Sequence, residues 1–383
     1  MNRSIVIKNT KKLIIIILSF VILTGCSSGT ASDPAINKSV SGTAADKNVT
    51  EPDKNGIVTV TDMEGNDVEV PVNVEKVACI SQSATDLMIA FGLGDKIVGT
   101  YRSFTYNPWA GVIYPKALEY KAYSYSVSAE ELLKDGVELV IIQDTENAEA
   151  FRNAGIPVIA VHQYSPEGVF DEEIYETAHI LGEIFGEETK REAAEWERDV
   201  KDAINEVSSL KKSTCDETVY YINGEKQKGL FYSDGGNSMI SSILSTAGLS
   251  LATEKYEVLN VHDVSDEEMI KLNPDAMLIG GAYQNYLMQE LYDSELWSNL
   301  DCVKNDRVYR IPVAMTGIEN VSAETPVMIR YTASLFYPDY DYDLDKDLKE
   351  NIKKYFDYDL SSEDVYNMKN AFSKDGEVMV NAE

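Results

Sequence analysis

Residues 128–142 read Ser-Ala-Glu-Glu-Leu-Leu-Lys-Asp-Gly-Val-Glu-Leu-Val-Ile-Ile, and residues 265–279 read Ser-Asp-Glu-Glu-Met-Ile-Lys-Leu-Asn-Pro-Asp-Ala-Met-Leu-Ile, matching without a gap. Each stretch reads as one helix feeding one buried strand. Ser128 and Ser265 are placed to cap the two helix N-termini, with Glu131 and Glu268 returning the bond as a capping box. The match predicts two similar lobes. Helix–turn–strand units also converge on such patterns independently, and under either reading the chain holds two α/β units.

On both sides of these stretches, short apolar runs alternate with helical patterns. Further strands are expected at Lys76–Ile80, Ile97–Thr100, Pro157–Val161, Thr218–Ile222 and Arg307–Ile311, which with Leu139–Ile142 and Asp275–Ile279 predict mostly parallel sheets covered on both faces. The alternation from Ile57 to Val72, interrupted by Glu64-Gly65-Asn66, predicts an opening β-hairpin. Apolar residues at Ile174, Ala178, Leu181 and Phe185, and again at Trp196, Val200, Ile204 and Val207, recur in steps of three and four. That spacing predicts amphipathic helices, with Gly186 breaking a last first-lobe helix from a long one running from about Glu188 to Lys211. The expected fold class is α/β: two lobes, each a mostly parallel sheet with flanking helices, bridged by one long helix. The boundaries read as 57–185 for the N-terminal lobe, 186–212 for the bridging helix and 213–335 for the C-terminal lobe. Residues 336–383, rich in Tyr, Asp and Lys, read as an accessory helical extension.

The N-terminal end has its own logic. Arg3, Lys8, Lys11 and Lys12 precede an apolar run from Leu13 to Leu23, then Thr24-Gly25-Cys26. The run is about half the roughly 20 residues needed to cross a bilayer, so residues 1–25 read as a signal peptide rather than a retained anchor. The small residues before Cys26 resemble a bacterial lipoprotein box, which makes Cys26 the expected lipidated N-terminus, followed through residue 56 by a polar, flexible tether. Cleavage removes four cations and no acid, taking the net charge from −30 to −34. Nucleic acid is thereby excluded as a partner, since its phosphates would be repelled. The odd set Cys79, Cys215 and Cys302, without paired spacing, reads as unpaired buried thiols.

Catalytic patterns are missing. There are three histidines, no Gly-x-Ser-x-Gly elbow, no His-Glu-x-x-His, no clustered Cys/His spacing and no Gly-x4-Gly-Lys-Ser/Thr, so hydrolase, zinc and nucleotide chemistry lack their parts. Gly92-Leu-Gly94 through Gly99 lies at a helix-to-strand turn rather than at the strand-to-helix turn of a dinucleotide site. His179 falls inside an amphipathic helix and reads as structural. His162 follows the strand Pro157–Val161 and His262 precedes the helix capped at Ser265, both near element ends where ligands bind in α/β folds; either is a candidate ligand contact, and His262 a candidate axial metal ligand.

Residues 78–99, Ala-Cys-Ile-Ser-Gln-Ser-Ala-Thr-Asp-Leu-Met-Ile-Ala-Phe-Gly-Leu-Gly-Asp-Lys-Ile-Val-Gly, resemble the opening strand–helix–strand of the substrate-binding proteins of ABC transporters for iron complexes, haem and cobalamin, the class III periplasmic binding proteins. The resemblance extends through 128–142, 154–160, the long helix and 264–280. It implies two lobes holding a ligand in the cleft between them, with little hinge motion because the bridging helix resists bending. It implies no enzymatic activity and no cofactor of the chain's own. The implied partners are a permease dimer, its ATPase and a small metal chelate, at the outer face of the cytoplasmic membrane.

Cleft residues are then expected on loops at strand ends: Ser81, Gln82, Ser83, Tyr101, Arg102, Ser103, Tyr106, Trp109, Gln143 and Asp144 from the first lobe. From the second come Asn223, Gly224, Tyr232, Ser233, Gly281, Ala282, Tyr283, Met315 and Thr316. Tyrosines and Trp109 suit a large, partly aromatic ligand. Arg102 is the one cleft arginine, whereas binders of anionic catecholate chelates present several, which argues against a strongly anionic siderophore. Glu119 and Glu267 match the two glutamates that in this family meet permease arginines. Iron–siderophore complexes are the first expected cargo, haem and cobalamin the next. Outside that class stand a surface hydrolase and a sensory or adhesive surface protein. Capture of free manganese or zinc would want three or four clustered His and carboxylate ligands, which the sequence lacks.

Overall fold

The structure is a computed structural model that describes residues 56–162, 173–210, 217–258, 260–261 and 264–379. The leader, Cys26, the tether up to residue 55, Cys215 and His262 lie outside the described residues.

The hairpin forms as expected. Strands β1 (Ile57–Thr61) and β2 (Asp67–Pro71) pair antiparallel, Ile57 against Pro71 and Thr61 against Asp67. Its turn is held by Asp62, whose carboxylate accepts from the Glu64 and Asn66 amides at 3.0 and 2.9 Å.

The first sheet follows: β3 (Val77–Ile80), β4 (Ile97–Tyr101), β5 (Lys121–Tyr123), β6 (Leu139–Ile142) and β7 (Val158–Ala160), in spatial order β5-β4-β3-β6-β7, all parallel. Every residue of β3, β6 and β7 is buried, because helices cover both faces and leave no solvated side for an alternating pattern. The first-lobe helices are α1 (Gln82–Ala90), α2 (Arg102–Tyr106), α3 (Pro108–Ile113), α4 (Ala129–Asp135), α5 (Ala148–Asn153) and α6 (Glu176–Phe185).

Gly186, at φ 90°, interrupts the chain before α7 (Glu187–Leu210), whose 24 residues span about 36 Å. The buried stripe of α7 runs through Ala193, Trp196, Val200, Ala203 and Val207. Ile204, expected on that stripe, is only partly buried.

The second sheet contains β8 (Thr218–Ile222), β10 (Ser250–Leu251), β12 (Ala276–Ile279) and β13 (Val308–Arg310), ordered β10-β8-β12-β13 and parallel. Beside it β9 (Ser233–Asp234) and β11 (Asn260–Val261) form a short antiparallel pair. Its helices are α8 (Met239–Thr246), α9 (Asp266–Leu272), α10 (Gln284–Asp293), α11 (Asp301–Lys304) and α12 (Thr325–Phe336). The C-terminal segment adds α13 (Leu344–Phe356) and α14 (Ser362–Lys369).

The repeat holds in part. Ser128 accepts from the Glu131 amide and Ser265 from the Glu268 amide, both at 3.2 Å. The return bond expected from Glu268 is displaced, because its carboxylate takes the Lys255 ammonium at 2.6 Å and the Tyr256 hydroxyl. Cys79 and Cys302 are unpaired and buried, and burial pushes their thiols up to about 12 and about 11.

The C-terminal segment is fastened to the rest. Lys354 and Tyr355 of α13 reach Asp199 of α7 at 2.6 and 2.7 Å, the Val313 amide donates to the Met368 carbonyl of α14 at 3.0 Å, and the Trp109 indole donates to the Phe372 carbonyl at 2.8 Å. No helix among the described residues is long and apolar enough to cross a membrane.

Candidate ligand-binding cleft

In an open parallel sheet, ligands bind beyond the carboxyl ends of the strands where the strand order reverses. In the first sheet the reversal falls between β3 and β6, which lead into Gln82 at the start of α1 and into Gln143; in the second it falls between β8 and β12, which lead into Asn223-Gly224 and Gly280-Gly281-Ala282. Residues from both sets line one cavity of about 400 Å³ between the sheets.

Of the residues expected there, Gln82, Tyr101, Ser103 and Gln143 line the cavity from the first lobe, and Asn223, Gly224, Tyr232, Gly281, Ala282 and Tyr283 from the second. Several others are placed elsewhere for visible reasons. Ser81 caps α1, accepting from the Ala84 amide at 3.3 Å, and Ser83 is buried within that helix. Arg102 and Tyr106, at the two ends of α2, are exposed and lie outside the lining. Trp109 is fully buried, its indole donating to the Phe372 carbonyl at 2.8 Å. Met315 is fully buried and only its carbonyl is used, accepting from Asn107 at 2.9 Å. Asp144, Ser233 and Thr316 also fall outside the lining. His162 sits at the β7 edge, where its amide meets the Met63 sulfur of the hairpin, and burial lowers its imidazole.

The cavity also collects residues that the sequence did not single out. Tyr125, one turn ahead of Ser128, stacks on Tyr101 with ring centroids 4.3 Å apart. Asn107 clasps the lobes: its side-chain amide donates to the Ala314 and Met315 carbonyls, each at 2.9 Å. Met379, far along the C-terminal segment, closes part of the wall. Tyr221, Glu225, Asp234, Asn260 and Glu319 add to the second-lobe side.

The electrostatics of that side are distinctive. Burial pushes the Asp234 carboxyl up to about 6, against the pull of hydrogen bonds from the Asn223 and Asn260 amides at 3.0 Å each. Burial likewise pushes Glu319 up to about 7, although the Gly281 amide donates to it at 2.7 Å. No group of three or more His, Cys, Asp or Glu arranged to hold a metal ion occurs among the described residues.

Both candidate docking glutamates are exposed. Glu119 ends the 3-10 turn Pro115–Glu119 beside Leu118, which is 76% exposed; Glu267 lies in the first turn of α9, one helical step from Ile270, 59% exposed.

Comparison with known proteins agrees with this geometry. The family model for periplasmic binding protein matches residues 77–314. The chain is 24% identical over 306 residues to YvrC of Bacillus subtilis strain 168, an uncharacterized ABC transporter substrate-binding lipoprotein, covering 77% of this chain and 87% of that one. It is 22% identical over 312 residues to the iron(3+)-hydroxamate-binding protein YxeB of the same strain, covering 79% and 88%. The crystal structure of a periplasmic solute binding protein from Veillonella parvula DSM 2008 superposes with a TM-score of 0.65 at 23% identity, covering 82% of this chain and 97% of that one. Two parallel sheets on either side of one long helix, a cavity at both switch points and a family match over most of the two lobes lead to one assignment: the chain belongs to the periplasmic binding protein family, the substrate-binding components of ABC transporters.

Proposed function

We propose that this protein captures a metal chelate, an iron–hydroxamate type first, in the cavity between its lobes, and hands it unchanged to an ABC permease. The carrying observation is a cavity that reaches both switch points, walled by Tyr101, Tyr125, Tyr221, Tyr232 and Tyr283. Its volume lies within the range of about 300–1,000 Å³ usual for small-molecule sites. The similarity to YxeB supports a hydroxamate chelate, and the similarity to a lipoprotein supports lipid anchoring through Cys26 at the outer face of the membrane. Binding without turnover is the expected chemistry: the cavity offers hydrogen-bonding amides, phenols and two buried carboxyls, with no nucleophile–base pair among its described lining residues.

Glu119 and Glu267 are proposed to dock the permease. Each is exposed beside an exposed apolar residue, and such charges chiefly set orientation and association rate.

The test is a thermal-shift titration of the full chain with ferric hydroxamates, haemin and cobalamin. A saturable rise with one chelate, recovered intact afterwards, supports the reading; at about a hundredfold excess over Kd the gain is about 2.7 kcal/mol. No response to any chelate would sink it. Tryptophan emission is the poorer probe, since Trp109, Trp196 and Trp297 are all buried away from the cavity lining.

A further inference from the structure

We propose that the ligand of this cleft carries a positively charged group, an ammonium or similar organic cation, received at the second-lobe end of the cavity by Asp234 and Glu319. This rests on the cleft being the binding site, as proposed above.

Three charged side chains line the cavity, Glu225, Asp234 and Glu319, and all are acids; no lysine, arginine or histidine lines it among the described residues. Glu225 is ordinary. It is exposed, with the Lys228 ammonium 4.0 Å away. The other two are not, since each is only 8% exposed and neither has an ion-pair partner among the described residues. A carboxylate taken out of water is unfavourable unless a cation or several donors meet it.

Both carboxyls are nevertheless held in place. Asp234 Oδ1 takes both asparagine amides, from Asn223 and Asn260, which leaves Oδ2 without either of them. Glu319 Oε1 takes the Gly281 amide, while Oε2 is buried and receives no hydrogen bond among the described residues. The backbones of Gly280 and Gly317 approach the Glu319 carboxylate so closely that a Cβ on either would collide with it. Acids that line a cavity, fixed in place and short of donors from their own chain, suit a donor brought by the ligand, and what both lack among the described residues is a positive partner.

The lysines nearest the cavity are engaged elsewhere. Lys228 lies over the Tyr232 ring, 4.4 Å from its centroid, and Lys226 lies 6.0 Å from that of Tyr283. Both ammonium groups are thus held over rings at the rim and form no ion pair with Asp234 or Glu319, so neither acid draws its counter-charge from them. A bare metal ion is not the occupant this geometry suits, because no third metal-type ligand joins Asp234 and Glu319 among the described residues.

The experiment compares one ferric trihydroxamate bearing a free terminal ammonium with the same chelate acetylated at that amine, by calorimetric titration of the full chain. Binding of the ammonium form tighter by about tenfold or more supports the proposal, as a charge-assisted bond in a dry site should. That preference should then vanish in Asp234→Asn and Glu319→Gln variants, whose folding is checked by thermal unfolding. Equal binding of the two forms would overturn it and leave the chelate reading standing. If neither chelate binds, the chelate reading falls, and metal-free spermidine decides the charge question alone. A saturable thermal shift lost in Asp234→Asn then supports a cationic ligand, and no shift overturns it. The ammonium-to-acetyl comparison needs only the unaltered chain, so a misfolded variant does not blunt the test.

Discussion

Glu319 shows how one side chain links the cleft to stability. Its carboxyl, ordinarily near 4.5, is pushed up to about 7 by burial. The folded protein therefore holds this proton more tightly than the unfolded chain does, so the stabilising contribution is complete below pH 4.5 and is lost as the pH rises through 7. In the ligand-free protein, Glu319→Gln should raise the melting temperature at pH 8 and change it little at pH 5, the difference corresponding to about 3 kcal/mol at most. An equal gain at both pH values, by differential scanning calorimetry, would show that this carboxyl does not titrate in that window. Gly224 is a second decisive residue. At φ 89° and against the Gly280 carbonyl, it has no room for a Cβ, so Gly224→Ala should cost about 2 kcal/mol or more and weaken ligand binding with it. At this scale sequence reasoning placed the loops but not the side chains. Tyr101 ends β4 and Arg102 and Trp109 follow it, yet Tyr101 lines the cavity, Arg102 is solvated and Trp109 is core, because side-chain direction there depends on two short helices whose packing no local pattern specifies.

At the scale of elements, the paired units of residues 128–142 and 265–279 were legible because both signals are local: an N-cap needs a serine next to the helix, and a doubly covered strand needs an unbroken apolar run. Ser128→Ala and Ser265→Ala should each lower stability by about 1 kcal/mol, read from denaturant midpoints at unchanged m-value. Strands β5, β9, β10 and β11 went unread. They are two or three residues long and carry no periodicity, whereas the equally short β7 and β13 were legible from the longer stretches 157–161 and 307–311 around them. The C-terminal helices behave as more than an appendage. Leu348, Ile352, Val365 and Met368 are buried in the same apolar cluster as Trp109 and Trp196. Truncation before Leu344 should abolish the cooperative thermal transition of the whole chain, whereas loss of a detachable appendage would leave it intact.

At the scale of the molecule, the lobes meet through charge as well as through the bridging helix. Asp86 of α1 accepts from the Ala323 amide at 2.8 Å, beside Glu324 just ahead of α12; burial and then its neighbour raise Asp86, while burial raises Glu324 to about 7. Two buried acids side by side favour sharing a proton. Asp86→Asn should therefore stabilise the protein more at pH 8, where the pair has lost the shared proton, than at pH 5, where Glu324 still holds one; the same comparison of unfolding curves reads it. The docking proposal belongs to this scale too. Reversing both glutamates, Glu119→Arg with Glu267→Arg, should stop uptake into cells and leave ligand affinity of the purified protein unchanged.

The sequence by itself determined the class of fold, the two α/β units, the long helix broken from its neighbour at Gly186, and the resemblance that led to the family. Those features depend on residues close along the chain: caps, apolar periodicity and a backbone position that suits glycine. Only the tertiary structure decided which strand-end residues face one another, that Asn107 clasps carbonyls 207 and 208 positions away, that Met379 returns to the cavity, and that Asp234 and Glu319 line it with no lysine, arginine or histidine beside them among the described lining residues. The physical reason is that desolvation and hydrogen-bond partnership are set by neighbours in space, and an acid in a chain with 64 of them looks like solvated surface until the fold shows what lies around it.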